Sequence, residues 1–256
     1  MSLPIACIKI GGRVAADETV LELFIKELKN LQEQYHFVLI HGGGAEVSRV
    51  SKIFNIEPVF LDGVRVTRAE EMDLVDMVLA GKVNKQLVRQ LYAGGVQAIG
   101  LSGVDGAIVV GEAVGPDTRT GKPVRVSPRL LSALLTENLI PVISPVSMDE
   151  HGLPLNINAD EVTLAVASAL PAGWLVFISD IPGILKGEKV IAGICPESTE
   201  KEIDAGVITG GMIPKVRACA EAIEHGVSYV VIGGYKQFGD LQSLLNGNSG
   251  TTIRRN

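Results

Sequence analysis

Two lysines, each beside a pair of glycines, are the residues of this chain best placed to do chemistry. Lys9 sits inside the apolar run Ile5-Ala6-Cys7-Ile8-Lys9-Ile10 and is followed at once by Gly11-Gly12-Arg13. Lys215 closes Thr209-Gly210-Gly211-Met212-Ile213-Pro214-Lys215, at the start of a helical pattern that runs to His225. A buried ammonium is costly unless an anion comes to meet it. Glycine backbones approach a ligand closely, with their N–H groups turned toward negative charge. Together these features read as a phosphate site at the carboxyl end of the first strand; the other reading is an edge strand whose lysine snorkels to water. A further glycine cluster, His41-Gly42-Gly43-Gly44, follows the apolar strand Phe37-Val38-Leu39-Ile40 and precedes a helix through Val47, Val50 and Ile53. That arrangement aims N–H groups and the positive end of a helix at one point, which suits a carboxylate or a phosphate.

The remaining polar residues fit the same chemistry. Arg65, within Asp62-Gly63-Val64-Arg65-Val66-Thr67, offers a planar fork able to clamp a carboxylate at two points. Asn156-Ile157-Asn158-Ala159-Asp160 stands ahead of a helix that is apolar on nearly every side. Capping by Asn158 accounts for one of its three polar residues and leaves the others to function. Competing motifs fail on spacing. A dinucleotide fingerprint needs glycine where Val47 stands, and the glycine-lysine pair Gly121-Lys122 is followed by Pro123, not by the Ser or Thr of a Walker loop. Gly100-Leu101-Ser102-Gly103 is not the Gly-x-Ser-x-Gly elbow of an esterase. The four histidines, His36, His41, His151 and His225, show no metal-ligand spacing. What recurs is glycine, lysine and helix starts, the parts that hold and neutralise phosphoryl oxygens. A kinase with a carboxylate acceptor needs no general base, because its acceptor is already ionised at neutral pH. Its task is to align two anions and spread cationic charge over the migrating group. In this reading Lys9 and Lys215 bring that charge from opposite lobes and Asp160 fixes their geometry. Nucleotide phosphates bring Mg²⁺ with them, so no cage of carboxylates is required.

The elements that position these residues alternate strand, helix, strand along the chain. This order indicates an α/β fold, a three-layer αβα sandwich with a mainly parallel central sheet. The 256 residues suffice for one large α/β domain or two lobes, and a boundary near Pro171 divides them into 1–171 and 172–256. Glu18 to Gln34 carries a helical stripe (Leu21, Phe24, Ile25, Leu28, Leu31), with Asp17 or Thr19 as its cap. Arg68 to Lys82 reads as one amphipathic helix and Asn84 to Tyr92 as a second, while Val104 to Val126 reads as exposed hairpins without a catalytic role. Apolar residues make up 46% and aromatics 4%, so the core is aliphatic; glycine, at 29 residues, exceeds its usual share of roughly 7%. A net charge of −6 leaves no basic stripe for nucleic acid. Cys7, Cys195 and Cys219 lack CxxC spacing and read as reduced residues of a cytoplasmic protein. Neither a signal peptide nor an apolar run long enough to cross a membrane is evident.

Six motifs carry a resemblance: Lys9-Ile10-Gly11-Gly12, His41-Gly42-Gly43-Gly44, Gly63-Val64-Arg65-Val66-Thr67, Asn156 to Asp160, Ser179-Asp180 with Gly183-Ile184-Leu185, and Gly211 to Lys215. In this order they resemble the amino acid kinase superfamily across essentially the whole chain, and its acetylglutamate kinases above all. The resemblance implies transfer of the ATP γ-phosphoryl group, with Mg²⁺, to the side-chain carboxylate of N-acetyl-L-glutamate. By position Lys9 and Lys215 resemble the transition-state stabilisers and Asp160 their organiser. Gly43, Gly44, Arg65 and Asn156 resemble the acyl-amino-acid site, with Arg65 on the α-carboxylate. Gly11, Gly12, Asp180, Ile181, Gly183, Ile184, Leu185, Val207, Ile208 and Thr209 resemble nucleotide-binding residues. The first 171 residues would then hold the acyl-amino acid and the dimer contact, and 172–256 the nucleotide. Arginine-inhibited members carry an extra helix before the first strand; the strand begins at once here, which implies an arginine-insensitive homodimer.

Overall fold

The computed structural model describes residues 3–11, 14, 17–61, 64–210 and 212–255. Gly12, expected in a nucleotide loop, lies outside the described residues, as do Asp62, Gly63 and Gly211. The element order begins β1 (Ile5–Ile10), α1 (Glu18–Leu31), β2 (His36–His41), α2 (Gly44–Ile53), β3 (Val59–Leu61), β4 (Val64–Val66) and α3 (Ala69–Asp76). A π-helical stretch (Met77–Val83) leads into α4 (Asn84–Ala93), β5 (Ala98–Ser102), β6 (Val109–Ala113), β7 (Thr120–Val126) and α5 (Arg129–Thr136). Then come β8 (Ile140–Ser144), β9 (Val146–Met148), β10 (Pro154–Ile157), α6 (Ala159–Ala169) and β11 (Trp174–Ser179). The last part holds β12 (Leu185–Lys186), β13 (Lys189–Val190), β14 (Gly193–Ile194), α7 (Thr199–Asp204), α8 (Met212–Glu224), β15 (Tyr229–Gly234), α9 (Asp240–Leu245) and β16 (Thr251–Ile253).

These elements pack as two units, Met1–Phe37 with Ala167–Asn256, and Val38–Val166. The partition differs from lobes of 1–171 and 172–256, because the opening residues join the C-terminal segment. Long-range pairing is the reason: β1 runs parallel to β11, in register from Ala6 opposite Trp174 to Lys9 opposite Phe177. β15 adds in parallel on the far side of β11, β16 joins β15 antiparallel, and β14 pairs with β16. Ala6, Cys7 and Ile8 are wholly buried, as the unbroken apolar run requires of a strand covered on both faces. Burial pushes the Cys7 thiol up to about 12, which makes it a small inert core residue. Helix α1 buries Leu21, Phe24, Ile25, Leu28 and Leu31, and Asp17 caps it by accepting from the Thr19 and Val20 N–H groups at 3.0 and 3.2 Å. Its stripe also buries Glu27, whose carboxylate accepts from Tyr235 Oη (2.8 Å), Gly239 N (3.0 Å) and Gln242 N (2.8 Å). Those partners satisfy a charge that burial alone would exclude and hold the start of α9.

In the second unit, β2, β8 and β5 form a parallel set, with Leu39 opposite Val142 and Leu101 opposite Ile143. Strands β10, β7, β6 and β9 close into a small barrel. The span from Val104 to Val126 is therefore more than exposed hairpins. Val109 and Val110 are both buried while Val114 and Val124 are exposed, a burial on both faces that a single hairpin cannot give and that β9 and β10 complete. The stretch expected as one helix from Arg68 to Lys82 is α3 followed by the π-helical segment. Both units bear out the α/β class with a mainly parallel sheet.

Candidate functional site

The glycine turn after β2 is the centre of a cavity of about 210 Å³ within the second unit. Gly42, Gly43 and Gly44 line one wall, and α2 begins at Gly44 with Gly43 as its N-cap. The turn thus delivers backbone N–H groups and the positive end of a helix to the space. Only glycine fits at position 43: its φ is +153°, and an added Cβ would lie 2.6 Å from Leu79 Cδ2 of the π-helical stretch. Arg65, Asn156 and Asn158 also line it, and Val47, Phe60, Val64, Leu79 and Ile157 supply apolar surface.

Arg65 is held in place by three neighbours. Its guanidinium donates to Ser48 Oγ and, at 3.4 Å, to the Gly44 carbonyl, and stacks over the Phe60 ring at 4.9 Å. Burial pushes its pKa down, with the Glu71 carboxylate opposing that shift, so the fork is a partly desolvated cation that gains by meeting an anion. The backbone beneath it is fastened to the barrel. Thr120 Oγ1 donates to the Arg65 carbonyl (3.0 Å) and accepts from Thr67 N (2.8 Å), and Asn156 Nδ2 donates to Thr67 Oγ1 (2.8 Å). Asn158 Oδ1 accepts from Asp160 N at 2.8 Å, the cap expected for α6, and Asp160 lies half-buried in that helix's first turn.

The structure brings Gly43, Gly44, Arg65 and Asn156 to one cavity, with a single guanidinium, amide donors, a helix start and an apolar wall. A volume of about 210 Å³ is below the roughly 300–1,000 Å³ of sites for drug-sized ligands. It is small for a nucleotide and sets a guanidinium beside apolar surface. Thr67, Thr120, Ser48 and Phe60 are contributors that sequence reasoning did not assign to the site. Thr67 lay inside a recognised motif, which was the one available signal.

The other expected residues lie in the first unit. Lys9 and Lys215 do not come from opposite lobes. Lys9 pairs in register with Phe177, so the two side chains leave the same face of the sheet about 4.8 Å apart at the backbone. Lys215 Nζ lies 4.6 Å over the Phe177 ring centroid, which brings both cations to one aromatic side chain. Gly11 follows β1 where a Cβ would come within 2.2 Å of the Ile178 carbonyl, so a close backbone approach already demands glycine. Asp180, Ile181 and Gly183 form the turn after β11. Ile184 N donates to Thr251 Oγ1 at 2.8 Å, and Leu185 opens the β12–β13 hairpin. Val207 and Ile208 both donate from their N–H groups to the Glu202 carbonyl (3.0 and 3.2 Å), and Met212 N donates to the Thr209 carbonyl (3.2 Å). Lys186 Nζ sits 3.6 Å from the Glu202 carboxylate, which ties the hairpin to the segment carrying 207–209. Among the described residues no cluster of three or more His, Cys, Asp or Glu side chains could hold a metal ion.

Residues 4–234 match the family model of the amino acid kinase family. The chain belongs to that family. It is 39% identical over 252 residues to the acetylglutamate kinase of Geobacillus kaustophilus, an alignment covering 97% of this chain and 95% of that one. Identity to the acetylglutamate kinase of Methylobacterium nodulans is 38%, across 98% of this chain and 88% of the relative. Among solved structures, smu.665 from Streptococcus mutans UA159 superposes with a TM-score of 0.82 at 28% identity, covering 98% of this chain and 99% of that one.

Proposed function

We propose that this protein transfers the γ-phosphoryl group of ATP to the side-chain carboxylate of N-acetyl-L-glutamate, giving N-acetylglutamyl 5-phosphate, a step of arginine biosynthesis. The near full-length relationship to acetylglutamate kinases supports the reaction. The observation that carries the substrate is the small cavity with Arg65 as its cation and apolar residues in its lining. Arg65 takes the α-carboxylate, while Gly43, Gly44 and Asn156 present N–H donors. The acyl methyl rests on Leu79 and Val47.

The acceptor carboxylate is ionised near pH 7 and attacks without a base, so no histidine or carboxylate need remove a proton. Lys9 and Lys215 neutralise the charge that spreads over the transferring group, and Asp160 organises that cationic charge. Gly11, Asp180, Ile181, Gly183, Ile184, Leu185 and 207–209 bind the nucleotide, and Mg²⁺ arrives bound to its phosphates. The protein works as a cytoplasmic homodimer.

An ATP-dependent hydroxamate assay tests the reading by comparing N-acetyl-L-glutamate, glutamate, aspartate and N-acetylaminoadipate. Turnover with N-acetyl-L-glutamate should exceed that with the non-acylated acids by about a hundredfold, since a free ammonium would have to enter a cavity already holding a guanidinium. Equal rates with glutamate, or faster turnover of N-acetylaminoadipate, would overturn the assignment.

A further inference from the structure

His41 is wholly buried at the end of β2, directly before the glycine turn, and nothing in the proposed chemistry uses it. Its ring is nevertheless engaged on both nitrogens. Nδ1 lies 2.6 Å from the Gly42 carbonyl, and Nε2 lies 3.1 Å from Nδ2 of Asn84. Asn84 opens α4 immediately after the π-helical stretch and is itself wholly buried.

The orientation of the Asn84 amide follows from its other partners. Its nitrogen lies 2.8 Å from the Val142 carbonyl and 3.2 Å from the Leu101 carbonyl, both acceptors, and its oxygen accepts from Lys85 Nζ at 3.1 Å. Lys85 Nζ is in turn fixed by the Gly100 carbonyl at 2.7 Å. A flipped amide would set oxygen against two carbonyls and nitrogen against an ammonium. The NH₂ group has two hydrogens for three acceptors, so one is shared between the Leu101 carbonyl and His41 Nε2; Nε2 still faces a donor that cannot accept, and the imidazole proton resides on Nδ1. From there it is donated to the Gly42 carbonyl. Burial, with Lys85 nearby, keeps the ring neutral by lowering its pKa to about 4.

A trans peptide carries its C=O and N–H on opposite sides. A Gly42 carbonyl drawn back toward His41 therefore sends the Gly43 N–H the other way. Leu79 and Val83 of the π-helical stretch occupy the space where a side chain at position 43 would lie.

We propose that His41 and Asn84 are a positioning pair for the acyl-amino-acid cavity: Asn84 sets the imidazole tautomer, and Nδ1–H pins the Gly42–Gly43 peptide so that the Gly43 N–H faces the ligand. This rests on the reading of that cavity as the acyl-amino-acid site. His41→Leu removes the pin, and His41→Asn keeps a donor at the place of Nδ1. In His41→Leu the KM for N-acetyl-L-glutamate rises by about ten- to hundredfold, the worth of one hydrogen bond to a charged group, while the KM for ATP stays unchanged. His41→Asn restores most of the loss. A merely structural histidine would lower the amount of active enzyme without moving either KM. An unchanged KM in His41→Leu, or equal impairment of both variants, overturns the proposal. The Gly43 amide resonance of ¹⁵N-labelled protein gives a readout that needs no turnover. It should move in His41→Leu and return toward its original position in His41→Asn, and an unmoved resonance in His41→Leu also refutes the pin. Wild-type protein inactive toward N-acetyl-L-glutamate would instead overturn the substrate assignment, with the amide resonance still deciding the pin.

Discussion

Acidification isolates the contribution of His41 to stability. In the unfolded chain this imidazole titrates near its ordinary value of 6.5, whereas in the fold burial holds it at about 4, with Lys85 adding to the shift and the Gly42 carbonyl opposing it. The folded protein binds fewer protons than the unfolded chain across that interval. The stabilisation is therefore fully present above pH 6.5, declines as pH falls toward 4, and is gone below it. A shift of this size is equivalent to about 3 kcal/mol. Urea unfolding between pH 4 and pH 7.5 measures it, with His41→Asn as the reference because that residue does not titrate. Protonation of carboxylates lowers both curves and cancels in their difference. Wild-type protein should lose about 3 kcal/mol more than His41→Asn between pH 7 and pH 4. Parallel curves would show that the imidazole is hydrated or already protonated in the fold, and the tautomer argument built on Asn84 would fall with them.

Four substitutions probe the first unit. Lys9→Ala and Lys215→Ala should each lower kcat by orders of magnitude with little change in either KM, measured by steady-state kinetics; an unaltered kcat removes that lysine from the transition-state assignment. Gly11→Ala drives a methyl into a backbone oxygen that cannot rotate away and should cost more than about 3 kcal/mol, seen as loss of soluble protein or a large fall in Tm. Glu27→Ala strands the buried hydroxyl of Tyr235 and the part-buried N–H groups of Gly239 and Gln242. It should cost about 3 kcal/mol, or roughly 10 °C in Tm by calorimetry, and a change of less than 2 °C would contradict the clamp.

Features written in short-range pattern were legible before any coordinates. The stripe of α1 and its Asp17 cap, the strand ending at His41, the glycine turn and the Asn158 cap all depend on residues within about two helical turns of one another. Four of the expected acyl-amino-acid residues meet at one cavity because the motifs mark positions where backbone and side-chain chemistry coincide. What stayed hidden depends on distant partners. Thr67 meets Thr120 across 53 positions and Asn156 across 89, and a threonine in a strand carries no mark of such a partner. Pairing of β1 with β11 is equally invisible in local composition, so the lysines were placed in opposite lobes although Lys9 pairs with Phe177 and Lys215, from α8, reaches over the same ring. The π-helical stretch has the apolar spacing of an ordinary helix, and only its packing against Gly43 shows why a wider turn stands there.

The discontinuous make-up of the first unit shapes how the polypeptide matures during translation. Strand β1 emerges early yet meets β11 only after that strand has been made, some 170 positions later. In the interval the uncovered flank of a short, very apolar ribbon is open to mispairing with nascent chains on adjacent ribosomes. The intervening Val38–Val166 block is contiguous and can condense while the tail is still being added. Its completion shortens the effective loop that β1 must close, so the slow step of biogenesis becomes the docking of a waiting strand onto a late-arriving one.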